Sequence, residues 1–312
     1  VRALVTGGAG FIGSTLVDAL LAGDNHVTVV DDLSRGRREQ VDPAAELHAL
    51  DIVSDAFADV VAAARPDVIF HLAAQIDVRR SVAEPMLDTR INVLGTVNVL
   101  EAAVRAGVRR VVFASSGGAL YGDTDVLPTP ESHPCTPASA YGAAKLAGES
   151  YGSVFSQVHG LEFVALRYAN VYGPRQDPHG EAGVVAIFAE RLLDGREAVV
   201  NGDGGQTRDY VHVDDVVSAN LRAAQTTTLG AYNIGTGRAC DVNELYLHIA
   251  RAAGTSAAPR HGPGKPGEQR RSMLDITRAA DLLDWRPRVP LEEGLSATVA
   301  WFAERSGAAR AE

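Results

Sequence analysis

Tyr141 and Lys145 stand four residues apart in the stretch YGAAK. On a helix that spacing stacks them on one face. A free phenol titrates at about 10, and a neighbouring ammonium together with the positive charge of an oxidised nicotinamide would lower it toward neutrality. Such a pair could take a proton from an alcohol. The lysine is unusual here: of 29 basic residues, only Lys145 and Lys265 are lysine. A surface charge could as well have been arginine, whereas a site needing a compact ammonium on a flexible stem could not.

A second group lies upstream in VTGGAGFIG, residues 5–13, where Gly7, Gly10 and Gly13 sit between an apolar run and a helical pattern. The first glycine turns the chain, the second lets a pyrophosphate approach, and the third lets helix and strand pack closely. The helix start, Phe11 and Ile12 included, offers amides to phosphates. Asp31, followed by Asp32, ends the next apolar run, 18 residues after Gly13. A carboxylate there suits ribose hydroxyls and repels a 2′-phosphate, which points to NAD. Arg35, Arg37 and Arg38 nearby keep NADP as the alternative.

These groups need a frame. RALVTGG, HVTVVDD, ELHALDI, DVIFHLAA, RRVVFASS and EFVALRYANV read as strands. Phe11 to Ala22, Ala56 to Ala64, Thr89 to Ala106 and Ala138 to His159 read as helices between them. That alternation predicts right-handed βαβ units: an α/β fold with a doubly wound parallel sheet of the Rossmann type. After about residue 172, glycine and proline cluster, with helices near 184–194, 213–225, 241–253 and 291–304. We read residues 1–170 as the dinucleotide domain and 171–312 mainly as a smaller, interleaved α/β substrate lobe. The segment near 211–237, through AYNIGTG, returns to the main sheet.

A net charge of −10 lacks the footprint of a nucleic-acid binder. No run approaches the ~18 apolar residues of a membrane span. The N-terminus enters a strand at once, leaving no room for a signal peptide. Cys135 and Cys240 have no metal-like spacing and read as free thiols of a reducing cytoplasm.

TGGAGFIG, HLAAQ, YGAAK and RYANVYGPR together resemble the extended short-chain dehydrogenase/reductase family, end to end. Within it the chain is most similar to bacterial UDP-glucose 4-epimerases, particularly a subgroup with SSGG ahead of the tyrosine. The resemblance implies that Tyr141 is the base and that Lys145 binds the nicotinamide ribose and tunes Tyr141. A hydroxyl of FASSGG completes the triad. Many members carry it at the position of Gly117; the SSGG subgroup implies Ser116, with Ser115 as the alternative. Asp51 and Ile52 would meet the adenine. Leu72, Ala73 and Ala74 would line the pyrophosphate and nicotinamide ribose, with Asn92 and Tyr168 near the cofactor. His71 reads as a packed strand residue. Family dehydratases and decarboxylases carry acids just before the VYG stretch, where this chain has Gly118 and Ala119. A 4-keto sugar would then have only one course, reduction on its other face.

For the sugar nucleotide, Arg208 matches the family's diphosphate arginine and Asn170 its phosphate asparagine. Lys265 and Glu268 replace the commoner Arg-x-Gly-Asp, and Asn201 stands where relatives carry an aromatic residue. Ser272, where a large residue would close the pocket behind C2, leaves room for N-acetylhexosamines. Arg79 is either a contact for a C6 carboxylate or a surface residue. The expected activity is NAD-dependent 4-epimerisation of UDP-glucose and UDP-galactose. Alternatives are an epimerase of UDP-glucuronate or another nucleotide sugar, and a non-catalytic NAD-binding regulator. Relatives pair through two long helices, here 89–106 and 138–159, so a homodimer is expected.

Overall fold

The computed structural model describes residues 1–179, 183–264 and 269–309, without the side chains of 306–309. Seven parallel strands form the main sheet: β1 (Arg2–Thr6), β2 (His26–Asp31), β3 (Glu46–Ala49), β4 (Val68–His71), β5 (Arg110–Ser116), β6 (Glu162–Tyr168) and β10 (Gly230–Ile234). Their order is β10-β6-β5-β4-β1-β2-β3. The chain winds one way from β1 through β3 and the other way from β4, so the sheet switches direction between β1 and β4. A crevice opens at the carboxyl ends of such neighbours; the glycine turn follows β1, and Ser116 ends β5 on the same edge of the sheet.

Strand periodicity divides the core. Val5, Val29 and Phe70 pack on one face with Leu16 and Val17 of α1 (Phe11–Ala22) and Val216 of α9 (Val213–Ala223). Leu4, Val30 and Ile69 pack on the other with Phe57 of α2 (Ala56–Ala64) and Leu100 of α5 (Gly95–Arg105). Leu4 and Leu16 are fully buried, each side chain stabilising the fold by roughly 1.5–3 kcal/mol. α7 (Ala140–His159) covers this second face closely because it carries glycines there. A Cβ on Gly148 would lie 2.6 Å from the Phe113 ring, and one on Gly152 2.2 Å from Phe163. Ser139 Oγ caps α7 by accepting from the Gly142 amide at 3.1 Å, and left-handed Gly160 ends it.

A third core joins α8 (Val184–Leu193), α10 (Val242–Ala252) and α12 (Leu291–Ala309) through Phe188, Tyr246 and Leu295. Beside it lie two small sheets. One contains β7 (Asn170–Tyr172), β9 (Thr207–His212) and β11 (Ala239–Asp241); the other pairs β8 (Val199–Asn201) with β12 (Arg260–Gly262). Short helices α3 (Val78–Ala83), α4 (Pro85–Asp88), α6 (Gly117–Leu120) and α11 (Thr277–Leu282) complete the chain.

Two sequence expectations need correction. EFVALRYANV is two strands, because the Ala169 amide bonds Ile234 O at 2.8 Å and the chain then leaves for the second sheet. The expected helix from Thr89 starts earlier, at α4, and passes through a π-helical stretch, Thr89–Leu94, before α5. The return strand near 211–237 is β10, Gly230–Ile234, while Thr207–His212 pairs with β7 and β11.

Candidate active site

The first βα turn is shaped for close approach. Gly7 has φ +72°, and a Cβ there would lie 2.7 Å from the Ala73 amide. A Cβ on Gly13 would lie 2.0 Å from Gly7 O. Gly10 caps α1 without any side-chain bond to the first amides, leaving Phe11, Ile12 and Gly13 at an open helix start. Asp31 is 7% exposed and accepts from the amides of Ala9 (3.0 Å) and Leu33 (2.8 Å). Burial raises its pKa above the usual carboxylate value, and the two amides oppose that rise. Asp32 is exposed and bonds its own turn through Ser34. The Leu50 amide bonds Asp31 O at 3.0 Å, which brings Asp51 and buried Ile52 alongside. Leu72 and Ala73 donate to Thr6 O and Thr6 Oγ1, which brings the Leu72–Ala74 stretch beside the turn. A dinucleotide fits this cradle: Gly7 and Gly13 let the turn pack against Ala73 and against itself, the start of α1 carries no side-chain cap, and Asp31 keeps acceptor capacity.

At the neighbouring strand ends, β5 separates the two candidate serines by strand alternation. Ser115 is buried and donates to Glu149 Oε1 at 2.6 Å. Ser116 caps α6 through the Ala119 amide at 3.3 Å and shares a hydrogen bond with the Tyr141 hydroxyl. Lys145 is 4% exposed; its Nζ donates to Ala114 O at 2.7 Å and lies 5.7 Å from the centre of the Tyr141 ring. The structure therefore brings Ser116, Tyr141 and Lys145 together. Tyr168 is the register partner of Ser116, and its hydroxyl is bound to Asn220. A Cβ on Gly117 would lie 2.6 Å from Leu274 Cδ1, so the leucine excludes a side chain at the position where many relatives carry their hydroxyl.

The electrostatics of the cofactor-free site follow from burial. Burial, and next the charge of Asp88, push the Tyr141 phenol above its ordinary value; the Ser116 hydrogen bond opposes them. In the cofactor-free site, desolvation of the phenolate is the largest of these effects. Burial also lowers the Lys145 ammonium, to about 8, against the pull of Asp88 and Glu149.

Asn92 is 3% exposed, and its amide is engaged: Oδ1 accepts from the Gln75 amide, while Nδ2 donates to Gln75 O and Asp88 Oδ1. Its backbone continues a polar ladder. Thr96 Oγ1 donates to Asn92 O at 2.7 Å, so it accepts from His71 Nε2 at 3.0 Å; His71 Nδ1 then accepts from Thr6 Oγ1 at 2.8 Å. This pattern fixes one neutral tautomer. Burial first, then the charge of Lys145, lowers the His71 pKa from 6.5 to about 3. Between those values the unfolded chain binds a proton that the folded chain refuses, so stability falls as pH falls through that window. From pH 7 to 5 the loss expected from His71 is about 2 kcal/mol, at ~1.4 kcal/mol per unit. Urea unfolding of the wild type should therefore weaken more over that interval than unfolding of His71→Gln. Equal losses would mean that the folded imidazole takes up a proton as readily as the unfolded one.

On the substrate side, Asn170 opens β7 and Arg208 lies on β9, its Nη1 donating to Thr207 O at 2.8 Å. Ser272 is 8% exposed and its amide bonds Thr207 O at 3.1 Å. Arg79 is exposed on α3, a helix whose Ser81 Oγ accepts from the Tyr141 amide at 3.1 Å. Lys265 and Glu268 lie outside the described residues.

Sequence reading missed three carboxylates that build the surroundings. Buried Asp209 accepts from Thr236, Gly237 and Leu274, fixing the leucine over Gly117. Glu149 pairs with Arg167 at 2.7 Å, and Arg167 Nη1 donates to the Tyr121 hydroxyl, which donates to Asn233. Asp88 joins Gln75 and Asn92. An arginine inside the apolar run EFVALRY was the available signal for a buried pair.

A family model described as the NAD dependent epimerase/dehydratase family matches residues 3–235. A Mycolicibacterium smegmatis UDP-glucose 4-epimerase is 50% identical over 98% of this chain and all of its own length. The Thermotoga maritima UDP-glucose 4-epimerase, solved with UDP-glucose, is 46% identical with a TM-score of 0.96, over 98% of this chain and 100% of that one. The Thermus thermophilus UDP-glucose 4-epimerase, solved in complex with NAD, is 44% identical with a TM-score of 0.92, over 97% and 99%.

Proposed function

The chain belongs to the NAD dependent epimerase/dehydratase family, and from that premise we propose that it interconverts UDP-glucose and UDP-galactose by inverting C4, using NAD. The observation that carries the reading is the meeting of Tyr141, Ser116 and Lys145 at the carboxyl end of β5, on the same edge of the sheet as the glycine turn after β1. Bound NAD⁺ supplies the hydride acceptor and a positive ring that favours the phenolate. Tyr141 Oη takes the proton from the sugar O4 and later returns it. Ser116 Oγ orients O4, and the Lys145 ammonium adds positive charge behind the phenol. Gly118 and Ala119 offer no acid to remove water or carbon dioxide, so the ketone turns and is reduced on its other face.

We assign residues 1–170 to the cofactor and 171–312 mainly to the sugar nucleotide, with Asn170 and Arg208 on its phosphates. Exposed Leu94, Tyr151, Val154 and Val158 on the two long helices support a homodimer. The two cysteines are free, which suits a reducing cytoplasm. Among the described residues no helix is long and apolar enough to cross a membrane. The test is to give UDP-galactose to the purified protein and couple UDP-glucose formation to UDP-glucose dehydrogenase. NAD bound without turnover would favour the non-catalytic regulator, and NMR on a panel of nucleotide sugars, the glucuronate included, would name another substrate.

Small, buried Ser272 favours a second reading, that N-acetylhexosamines are also accepted. Ser272→Tyr is expected to cut turnover of UDP-N-acetylglucosamine by about 10–100-fold while UDP-galactose turnover persists. Parallel losses for both substrates would remove the idea.

A further inference from the structure

The helix that starts at α4 carries a carboxylate that the reaction scheme above does not use. Asp88 is 1% exposed. Its Oδ1 accepts from Gln75 Nε2 at 3.1 Å and Asn92 Nδ2 at 2.9 Å, and its Oδ2 is buried without a partner. A buried, half-satisfied carboxylate is costly and calls for a compensating charge. The nearby cation is Lys145, on α7, which packs against this helix. Lys145 in turn is buried and makes no ion pair with a described carboxylate; its contacts are Ala114 O and the rings of Phe113 and Tyr141. An ammonium so placed also needs compensation.

We propose that Asp88 is a positioning residue for the proposed epimerisation: its carboxylate is the counter-charge that keeps Lys145 an ammonium, and its grip on Gln75 and Asn92 holds that charge in place. The inference rests on the proposed function only for its catalytic consequence. The groups around the pair are few. On α7, Tyr141 feels Asp88 as a repulsive charge, and Glu149 acts on Lys145 but is already bonded to Arg167 of β6 and to Ser115. On β4, His71 is neutral. Among the described residues acting on Lys145, that leaves Asp88 as the carboxylate without an arginine partner.

Two lysines in the chain make this directly readable. Protein labelled with ¹³C at lysine Cε gives signals from Lys145 and Lys265 only, and Lys265→Arg assigns them. Asp88→Asn is the matched variant: its oxygen can keep both amide donors, and its nitrogen occupies the place of the unpartnered oxygen. In NAD-bound protein, the Lys145 midpoint is expected to fall by about one pH unit or more in Asp88→Asn. The alkaline limb of the rate profile should move down with it. Asp88→Ser, which also removes the charge, serves if the asparagine variant does not fold. A midpoint that stays put, with activity lowered equally at every pH, would overturn the proposal by showing a purely structural role. Should the wild type prove unable to epimerise any sugar, the functional reading fails, while the lysine titration still decides the role of Asp88.

Discussion

Tyr141→Phe is expected to lower epimerisation by about 10³-fold or more and to leave bound NAD in place. The substitution removes one oxygen and keeps the ring. Ser116 Oγ, the partner left behind, still caps α6 through the Ala119 amide. Lys145 keeps its bond to Ala114 O. The damage is therefore confined to proton transfer. Because burial and Asp88 hold the phenol above its ordinary value, the protein without cofactor is a poor proton acceptor. NAD content of the purified variant, read by its absorbance after release, and UDP-glucose formed per hour together decide the matter. Turnover within tenfold of the wild type would remove Tyr141 as the base, and loss of NAD would make its role structural.

Gly13→Ala is expected to strip the cofactor. The added Cβ would sit 2.0 Å from Gly7 O and 2.8 Å from Gly7 C and Gly8 Cα. All three are backbone atoms of the turn itself, so no side chain can yield. Opening the turn would displace the amides and the Asp31 bond to Ala9 that shape the cradle. Overpacking of this kind costs about 1–3 kcal/mol, and the protein should purify without NAD and melt earlier. Gly118→Ala is the control, since a Cβ there meets nothing within 4 Å; it should keep both fold and cofactor. NAD retained at full stoichiometry by Gly13→Ala would mean that the turn does not hold the pyrophosphate.

The legible parts of the molecule were those written in local pattern. Helix α1 spans Phe11–Ala22, as its periodicity predicts, and the turn before it needs its glycines for reasons visible in their spacing. Lys145 was conspicuous by scarcity. The unread parts depend on contacts distant in sequence. EFVALRYANV looks like one strand because nothing local marks where Ala169 turns to Ile234. Ser115 and Ser116 are indistinguishable until β5 is placed and Glu149 claims the first. Asp209 and Asp88 are ordinary acids in their own segments; Asp209 gains its meaning from Leu274, 65 positions away. Spacing shows that a charge neighbours the phenol but not the desolvation around it, which depends on packing from distant segments.

The most direct test of the central claim uses UDP-galactose deuterated at sugar C4, incubated with the purified protein in ordinary water. If Tyr141 handles only the O4 proton and the carbon-bound hydrogen returns to the carbon it left, the UDP-glucose formed carries full deuterium at C4. Protium from water at C4 would show that this hydrogen departs as a proton, and the account of the site would be wrong.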